Sequence, residues 1–223
     1  MLKRKITRPH IQSRKYWLRD ANLICSSCRC EVRATIMSKV VQIRYIIDMT
    51  IADKIYGAVD DFGLITSAEA REIGVTNAEL VQQARRGKLV RVARGVYRMP
   101  VWPYQEAAPY AIAVKSIGPD ARLFGESVVA LLGLAPTDPG RMWVASPRRA
   151  RRDVGEGVRI IRCCPDDPVR FYDGVPSQPI ADAIASAAAT MGAVRARGTM
   201  EEALRQGYIT KADYDRLKKE LGV

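Results

Sequence analysis

Histidine is nearly absent from this 223-residue sequence, where the only one is His10. Without a second histidine, the rest of the chain cannot build a Ser–His–Asp triad or a histidine-ligated metal site. The sequence also lacks a GxxxxGK[ST] phosphate loop and a GxSxG nucleophile elbow. We therefore expect no catalytic residues, no cofactor and no enzyme of the common hydrolase or nucleotide-binding classes.

One enzymatic alternative does not need histidine. A nuclease can hold its metal ion with carboxylates alone, and Asp166 and Asp167 in the CCPDDP segment are the best candidates. No Glu-x-Lys pattern follows them, and the two flanking prolines are more typical of a turn that ends a strand.

Long apolar runs are missing as well. No stretch approaches the roughly 20 apolar residues that a membrane-spanning helix needs. Residues 1–48 lack the apolar segment, roughly 7 to 15 residues long, that defines a secretory signal. These absences predict a cytoplasmic protein without a membrane partner.

The five cysteines are too few and too unevenly placed to form a disulfide framework. Cys25, Cys28 and Cys30 in CSSCRC resemble half of a zinc site, but a second pair at a suitable spacing is missing. We predict no metal, and the alternative of a zinc-binding segment stays open. Cys163 and Cys164 form the other group.

The net charge of +12 is unevenly distributed. Residues 1–48 hold eleven Lys and Arg against three Asp and Glu, which leaves a net charge of only +4 for the remaining residues. A polyanion-binding surface in the body of the chain must therefore depend on local clustering of cations. We interpret residues 1–48 as a basic extension, with Met49 as an alternative start of the functional protein.

Three short helices are predicted between residues 49 and 87. The first begins with Thr50 as its N-cap, and its apolar stripe extends to Phe62. The next two each begin with a capping box, in which a threonine is followed three residues later by a glutamate: Thr66 with Glu69, and Thr76 with Glu79. Glycine closes each helix, and the short turn between the second and third is typical of a helix-turn-helix.

A short β-hairpin is predicted directly after the third helix. The segment KLVRVARGVYRMP alternates apolar and basic residues, and Arg94-Gly95 supplies a turn that accepts positive φ. Three helices and a hairpin within residues 49–100 predict a winged helix, in which the third helix enters the DNA major groove and the hairpin follows the phosphates. Asn and Gln suit adenine, and Arg suits guanine or phosphate. The predicted DNA-binding residues are Asn77, Gln82, Gln83, Arg85, Arg86, Lys88, Arg91 and Arg94.

Residues 101–223 predict a second domain, of mixed α/β type with a small sheet, so the fold class of the chain is α+β. Its own apolar strands, MWVA and VRII, lead us to expect that it folds alone. Near the C-terminus, Thr199 and Thr210 are predicted to cap two short helices. A basic loop suits an acidic partner or nucleic acid. The predicted partner-binding residues are Arg148, Arg149, Arg151 and Arg152.

Four segments between about Met49 and Val223 resemble the AbiEi-type antitoxin family when they are taken in order. They are ARRGKLVRVARGVYRMP, LFGESVVALLGL, RMWVASPRRARR and DGVPSQPIADAIASAA. The resemblance implies a bacterial toxin–antitoxin component. Its winged helix would bind inverted repeats in its own promoter and repress it, and its second domain would neutralise a cognate nucleotidyltransferase toxin. The alternatives are a stand-alone winged-helix transcription regulator and an interaction protein that uses its winged helix for protein contacts.

Overall fold

The computed structural model of the chain describes residues 51–137, 140–148 and 157–222. Over these residues the predicted α+β class is confirmed, with eight helices and two separate sheets. The contacts group Met49–Val223 into one compact unit. The predictions for residues 1–48, including the zinc alternative, lie outside the described residues, and so does the predicted cap at Thr50.

The first part of the fold combines three helices with a three-stranded sheet. Its elements are α1 (residues 51–58), β1 (Leu64–Thr66), α2 (Ser67–Glu72), α3 (Asn77–Arg85), β2 (Val90–Ala93) and β3 (Val96–Arg98). The strand order is β1-β3-β2 with antiparallel pairing throughout. The hairpin predicted from the sequence is β2–β3, and Gly95 in its turn has φ +77°. Strand β2 lies at the edge of this sheet.

Helix α1 is shorter than its apolar stripe predicts. It ends at residue 58, and Phe62 lies in a turn, where it is nevertheless buried. The side chain of Asp60 accepts hydrogen bonds from the backbone N–H groups of Phe62 and Leu64, at 2.9 and 2.8 Å. Asp side chains offer the backbone this alternative to helical bonding, so the turn competes successfully with another turn of helix.

Both predicted capping boxes are present in the first part. Thr66 caps α2 and Thr76 caps α3, and in each box the threonine side chain accepts the third-position N–H while the glutamate reaches back to the cap N–H. These bonds satisfy backbone donors that a helix start otherwise leaves unpaired. They fix the residue at which α3 begins.

The second part places helices against a five-stranded sheet. Its elements are α4 (Ala108–Ile117), β4 (Arg122–Leu123), α5 (Glu126–Leu131), β5 (Met142–Ser146), β6 (Val158–Arg162), β7 (Arg170–Tyr172), β8 (Val175–Ser177), α6 (Ile180–Met191), α7 (Ala193–Arg205) and α8 (Lys211–Leu221). The strand order is β6-β5-β4-β8-β7, with parallel and antiparallel pairs. Helices α4 and α5 contact the sheet, and α6 packs on α5, α7 and α8.

The predicted cap at Thr199 is wrong. Helix α7 starts at Ala193, so Thr199 lies inside it, fully buried, and its hydroxyl donates to the carbonyl of Arg195 at 2.8 Å. A threonine within a helix satisfies its hydroxyl on the preceding turn in this way. The cap at Thr210 is confirmed, because its side chain accepts from Asp213 N–H.

The hydrophobic core crosses the boundary predicted at residue 100. One cluster joins the first three helices to their sheet through Ile55, Leu80 and Tyr97. The larger cluster fills the second part, and it also contains Phe62, Leu64 and Val96. Folding of residues 101–223 alone stays a prediction, and the shared core means that such a fragment would lose apolar partners.

Candidate nucleic-acid interface

Helix α3 turns one polar side outward. Gln82, Arg85 and Arg86 are exposed, as is Asn77 at the first helical position, whereas Leu80 is fully buried. At 100° per residue, Gln82, Arg85 and Arg86 fall within one third of the helix circumference. This arrangement can present amide and guanidinium groups to base edges or phosphates.

Gln83 does not belong to that exposed side, so its predicted place among the DNA-binding residues needs correction. Only 2% of its surface is exposed, and its Oε1 has no hydrogen-bond partner in the described structure. The physical reason is helical spacing, because Gln83 follows Leu80 by three residues and therefore lies on the same buried face. A glutamine in this position cannot reach a base without moving the helix.

The cations after α3 extend the polar surface along the edge strand. Lys88 precedes β2, Arg91 lies within it, and Arg94 lies in the hairpin turn; all three are exposed. In the described structure β2 pairs only with β3, so it is an edge strand of this sheet. The three exposed cations therefore lie along an edge strand and its turn.

Helix α3 and strand β2 are joined at both ends, so they form one surface. At one end, the hydroxyl of Ser67 lies 3.3 Å from Asn77 Oδ1 and 3.4 Å from the carbonyl of Gly95, which also accepts the Ser67 N–H at 2.9 Å. At the other end, Lys88 N–H donates to the carbonyl of Gln83 at 3.0 Å. The start of α3 is thereby tied to the hairpin turn, and its end to the start of β2.

We call this surface the basic face. Sequence reasoning missed one of its members, Ala78, which is exposed one turn before Gln82 on the same side of α3. Its position four residues before Gln82 was the available signal. A small apolar side chain there can contact a thymine methyl group. The basic face consists of Asn77, Ala78, Gln82, Arg85, Arg86, Lys88, Arg91 and Arg94.

Four of the five cations of the basic face are free of ion pairs in the part of the chain that the structure describes. Within the described ranges, Arg85, Lys88, Arg91 and Arg94 form no ion pair. The acid on α3 itself, Glu79, is bound in the capping box, and hydrogen bonds from the Thr76 backbone and side chain hold the pKa of its carboxyl below the usual range. Its charge stabilises the helix start rather than neutralising the basic face.

The basic loop is only partly described. Arg148 is 81% exposed and forms an ion pair with Asp120 at 3.1 Å. Arg149, Arg151 and Arg152 lie outside the described residues. A solvent-exposed pair of this kind is weak, so Arg148 can exchange Asp120 for another anion at low cost.

Asp167, one of the two carboxylates considered as nuclease metal ligands, is engaged in a turn. Arg122, which is 4% exposed, donates to Asp167 Oδ2 at 3.1 Å and to the carbonyls of Cys164 and Asp167 at 2.7 Å each. Asp167 Oδ2 also accepts the Cys164 N–H at 3.0 Å. Asp167 therefore shapes the turn between β6 and β7. Among the described residues, no three His, Cys, Asp or Glu side chains cluster in a way that could hold a metal ion.

The resemblance to the AbiEi antitoxins is confirmed for the segment that carries the basic face. Residues 58–100 match the family described as transcriptional regulator, AbiEi antitoxin. This segment runs from the end of α1 through β3, so it includes α3 and the hairpin. No curated protein matches the chain. Within the described ranges, no helix has the length and apolar character needed to cross a membrane.

Proposed function

We propose that the chain is an antitoxin that represses its own promoter. In this proposal, residues 49–100 act as a winged helix, α3 enters the major groove at inverted repeats, and the β2–β3 hairpin contacts phosphates. The observation that carries the proposal is the basic face, in which Arg85, Lys88, Arg91 and Arg94 are exposed and form no ion pair within the described ranges, inside the segment that matches a family of antitoxin transcriptional regulators.

The basic face divides into two kinds of contact. Asn77 and Gln82 carry amides that pair with adenine, and Arg85 suits guanine, so the exposed side of α3 would specify sequence. Lys88, Arg91 and Arg94 follow the sheet edge and would bind phosphates, which adds affinity without sequence preference. Arg86 would serve either role from the C-cap position that follows α3.

We propose a second activity for the chain, in which residues 101–223 neutralise a nucleotidyltransferase toxin. It is supported by the family's description as antitoxins and by the order of the second-domain segments that resemble that family. We propose the loop with Arg148, Arg149, Arg151 and Arg152 as its partner contact. The weak pair between Arg148 and Asp120 leaves this arginine ready to bind an acidic surface.

Two assays on the full chain test the two activities separately. The first measures binding to the promoter fragment by fluorescence anisotropy, with the same fragment carrying scrambled repeats as the control. We expect at least tenfold preference for the intact repeats, as is typical of specific DNA-binding proteins. Equal affinity for both fragments would contradict the proposal that the chain binds its promoter specifically as a repressor.

The second assay measures growth of cells that express a nucleotidyltransferase toxin candidate, taken from a gene adjoining the one for this chain, together with this chain. Rescue of growth by the full chain supports the antitoxin role, and we expect the quadruple alanine variant of the basic loop to rescue less well. A stand-alone transcription regulator is the second candidate, because the family match ends at residue 100. Promoter binding without any growth rescue would favour that candidate.

A further inference from the structure

Helix α4 of the second part ends beside the first part of the fold. Lys115 lies in the last turn of this helix. Its ammonium group lies 2.7 Å from Glu69 Oε1 and 3.2 Å from Asp60 Oδ2. Asp60 precedes strand β1, and Glu69 follows it. One cation from the second part therefore contacts the chain on both sides of β1.

Both of these carboxylates also hold the backbone of the first part. Asp60 Oδ1 accepts two backbone N–H groups in the turn that follows it, and Glu69 Oε2 accepts the Thr66 N–H at 2.7 Å in the capping box of α2. Each carboxylate thus uses one oxygen for the turn or the cap and offers the other to Lys115. Hydrogen bonds to a charged acceptor are stronger than those to a neutral one. By favouring the ionised acids, Lys115 supports the turn before β1 and the start of α2.

The start of α2 leads directly to the basic face. Ser67, the first residue of α2, donates its N–H to the carbonyl of Gly95 at 2.9 Å, and its hydroxyl lies 3.3 Å from Asn77 Oδ1. Gly95 lies in the hairpin turn beside Arg94, and Asn77 is the first residue of α3. A displacement of Ser67 would therefore act on the hairpin turn and on the start of α3 together.

Apolar packing accompanies this series of polar contacts. Helix α4 contacts β2 and β3, and Leu64 and Val96 of the first part belong to the core cluster that fills the second part. Close-packed interiors of this kind transmit displacements between the elements that they join. The basic face lies within residues 77–94, but the elements that support it include residues beyond 100.

We propose that Lys115 is a positioning residue for DNA recognition, through which the second part of the fold sets the placement of α3 and the hairpin turn. This inference rests on the proposed function of the basic face. Lys115 itself is a poor phosphate ligand, because two carboxylates engage its ammonium group and only 21% of its side chain is exposed. Base contacts need close alignment with the groove, whereas phosphate contacts carry no sequence information. Loss of Lys115 should therefore weaken sequence preference and leave the number of phosphate contacts unchanged.

The first test measures DNA binding by the full chain with Lys115→Met. Its matched control is Lys219→Met, which loses the same charge on the exposed side of α8. We expect Lys115→Met to bind the intact promoter repeats at least about threefold more weakly, and to keep the wild-type affinity for scrambled repeats and the wild-type salt slope. Lys219→Met should match the wild type on both fragments.

Two results of this test would overturn the inference. Equal losses on both fragments, with a salt slope lowered by about one, would make Lys115 a direct phosphate ligand. Unchanged affinity for both fragments would show that the bridge contributes to stability alone.

Glu69→Gln tests the same bridge from its other end, and it also decides the question should Lys115→Met not fold. A glutamine keeps the capping-box acceptor but removes the charge that Lys115 contacts. We expect Glu69→Gln to lower preference for the intact repeats as Lys115→Met does, and the double variant to lose no more than either single variant. Losses that multiply in the double variant would show that the two residues act independently, which contradicts a shared route.

A measurement without DNA separates this inference from the proposed function. In the 15N-labelled full chain, the side-chain amide of Asn77, identified by its loss in Asn77→Ala, and the backbone N–H of Gly95 report the placement of α3 and of the hairpin turn. We expect both resonances to shift in Lys115→Met and neither to shift in Lys219→Met. Unshifted resonances in Lys115→Met would refute the positioning role. Shifted resonances in a chain that shows no preference for intact repeats would support the positioning role while the proposed function fails.

Discussion

Arginines in the two parts of the molecule differ in what surrounds them. In residues 51–100, Arg85, Arg91 and Arg94 form no ion pair within the described ranges. Among the described residues of 101–222, several arginines pair with carboxylates, including Arg122, Arg148, Arg197, Arg205 and Arg216. Cations without a competing carboxylate are the ones that can bind phosphate without first breaking an internal pair.

The difference originates in the spacing of acidic residues. After Glu79 the chain has no Asp or Glu until Glu106, so the end of α3 and the whole hairpin contain no acidic residue of their own. Helices α7 and α8 place acids three or four residues from their arginines, as in Arg197 with Glu201 and Arg216 with Asp213. Helical residues at these separations are neighbours. The net charge of a region is thus a poorer guide to polyanion binding than the pairing of its cations.

The largest expected effect is on stability, and it concerns the packing of Trp102 from the second part against the turn at Gly63 in the first part. Gly63→Ala forces a Cβ atom to within 2.5 Å of the Trp102 ring at φ +70°, so we expect a loss of about 3 kcal/mol in unfolding free energy from strain and overpacking. Gly74→Ala is the matched control, with φ +76° and no atom within 4 Å, and it should cost about 1 kcal/mol. Urea denaturation measures both. Equal losses would mean that Trp102 does not pack on this turn.

The second prediction separates a buried paired arginine from an exposed one. Arg122→Met removes three hydrogen bonds from the turn between β6 and β7, and we expect a loss of about 2 kcal/mol, below the range for a fully buried pair because Asp167 is 49% exposed. Arg148→Met should cost less than about 0.5 kcal/mol, since its pair with Asp120 is exposed. Thermal unfolding of both variants measures the two losses of stability. A larger loss in Arg148→Met than in Arg122→Met would contradict this prediction.

Several of these features were readable from the sequence, and others were not. The capping boxes at Thr66 and Thr76 and the hairpin turn at Gly95 depend on local chemistry, so spacing alone predicts them. The burial of Gln83 also follows from the sequence, because it lies three residues after Leu80 and therefore on the same face of α3. The early end of α1 depends on one Asp60 side chain, and the shared core at Phe62 depends on contacts far apart in the chain, which no local pattern encodes.

The third prediction concerns Lys115, which bridges the two parts. Its ammonium group lies 2.7 Å from Glu69 and 3.2 Å from Asp60. Lys115→Met should cost about 1 kcal/mol, because the bridge is only partly shielded from solvent, whereas Lys219→Met on the exposed side of α8 should cost nothing measurable. Calorimetry of both variants at neutral pH provides the comparison, and equal melting temperatures would show that the bridge contributes no stability.

The same bridge gives stability a pH dependence. Burial raises the pKa of Glu69, but the hydrogen bonds and charge of Lys115 and the hydrogen bonds of Thr66 outweigh burial, so the pKa is lowered overall. The contribution of Glu69 is therefore complete above its ordinary value of 4.5 and is lost as the pH falls through the lower folded value. We expect the stability lost at acidic pH to be smaller in Lys115→Met than in the wild type. An unchanged acid profile would assign the effect to other carboxyls.

The smallest stability effects distinguish two adjacent glutamines. Gln83→Met replaces an unsatisfied buried amide by an apolar side chain of similar size, so stability should stay within about 0.5 kcal/mol of wild type or rise slightly. Gln82→Met should also leave stability unchanged but reduce preference for the intact promoter repeats over scrambled ones. Anisotropy titrations of Gln82→Met against both fragments measure this preference. If the variant keeps the wild-type preference, Gln82 does not contribute to the DNA interface.

The central claim is that cations of the basic face, and not positive charge in general, bind DNA. Its most direct test compares two triple variants that each lose three positive charges: Arg85→Ala/Arg86→Ala/Arg94→Ala on the basic face, and Arg197→Ala/Arg205→Ala/Arg216→Ala among the paired arginines. Promoter affinity is measured across a salt series. We predict that the first variant lowers the slope of log affinity against log salt by about two to three and that the second leaves it unchanged. Equal slopes in the two variants would contradict the account.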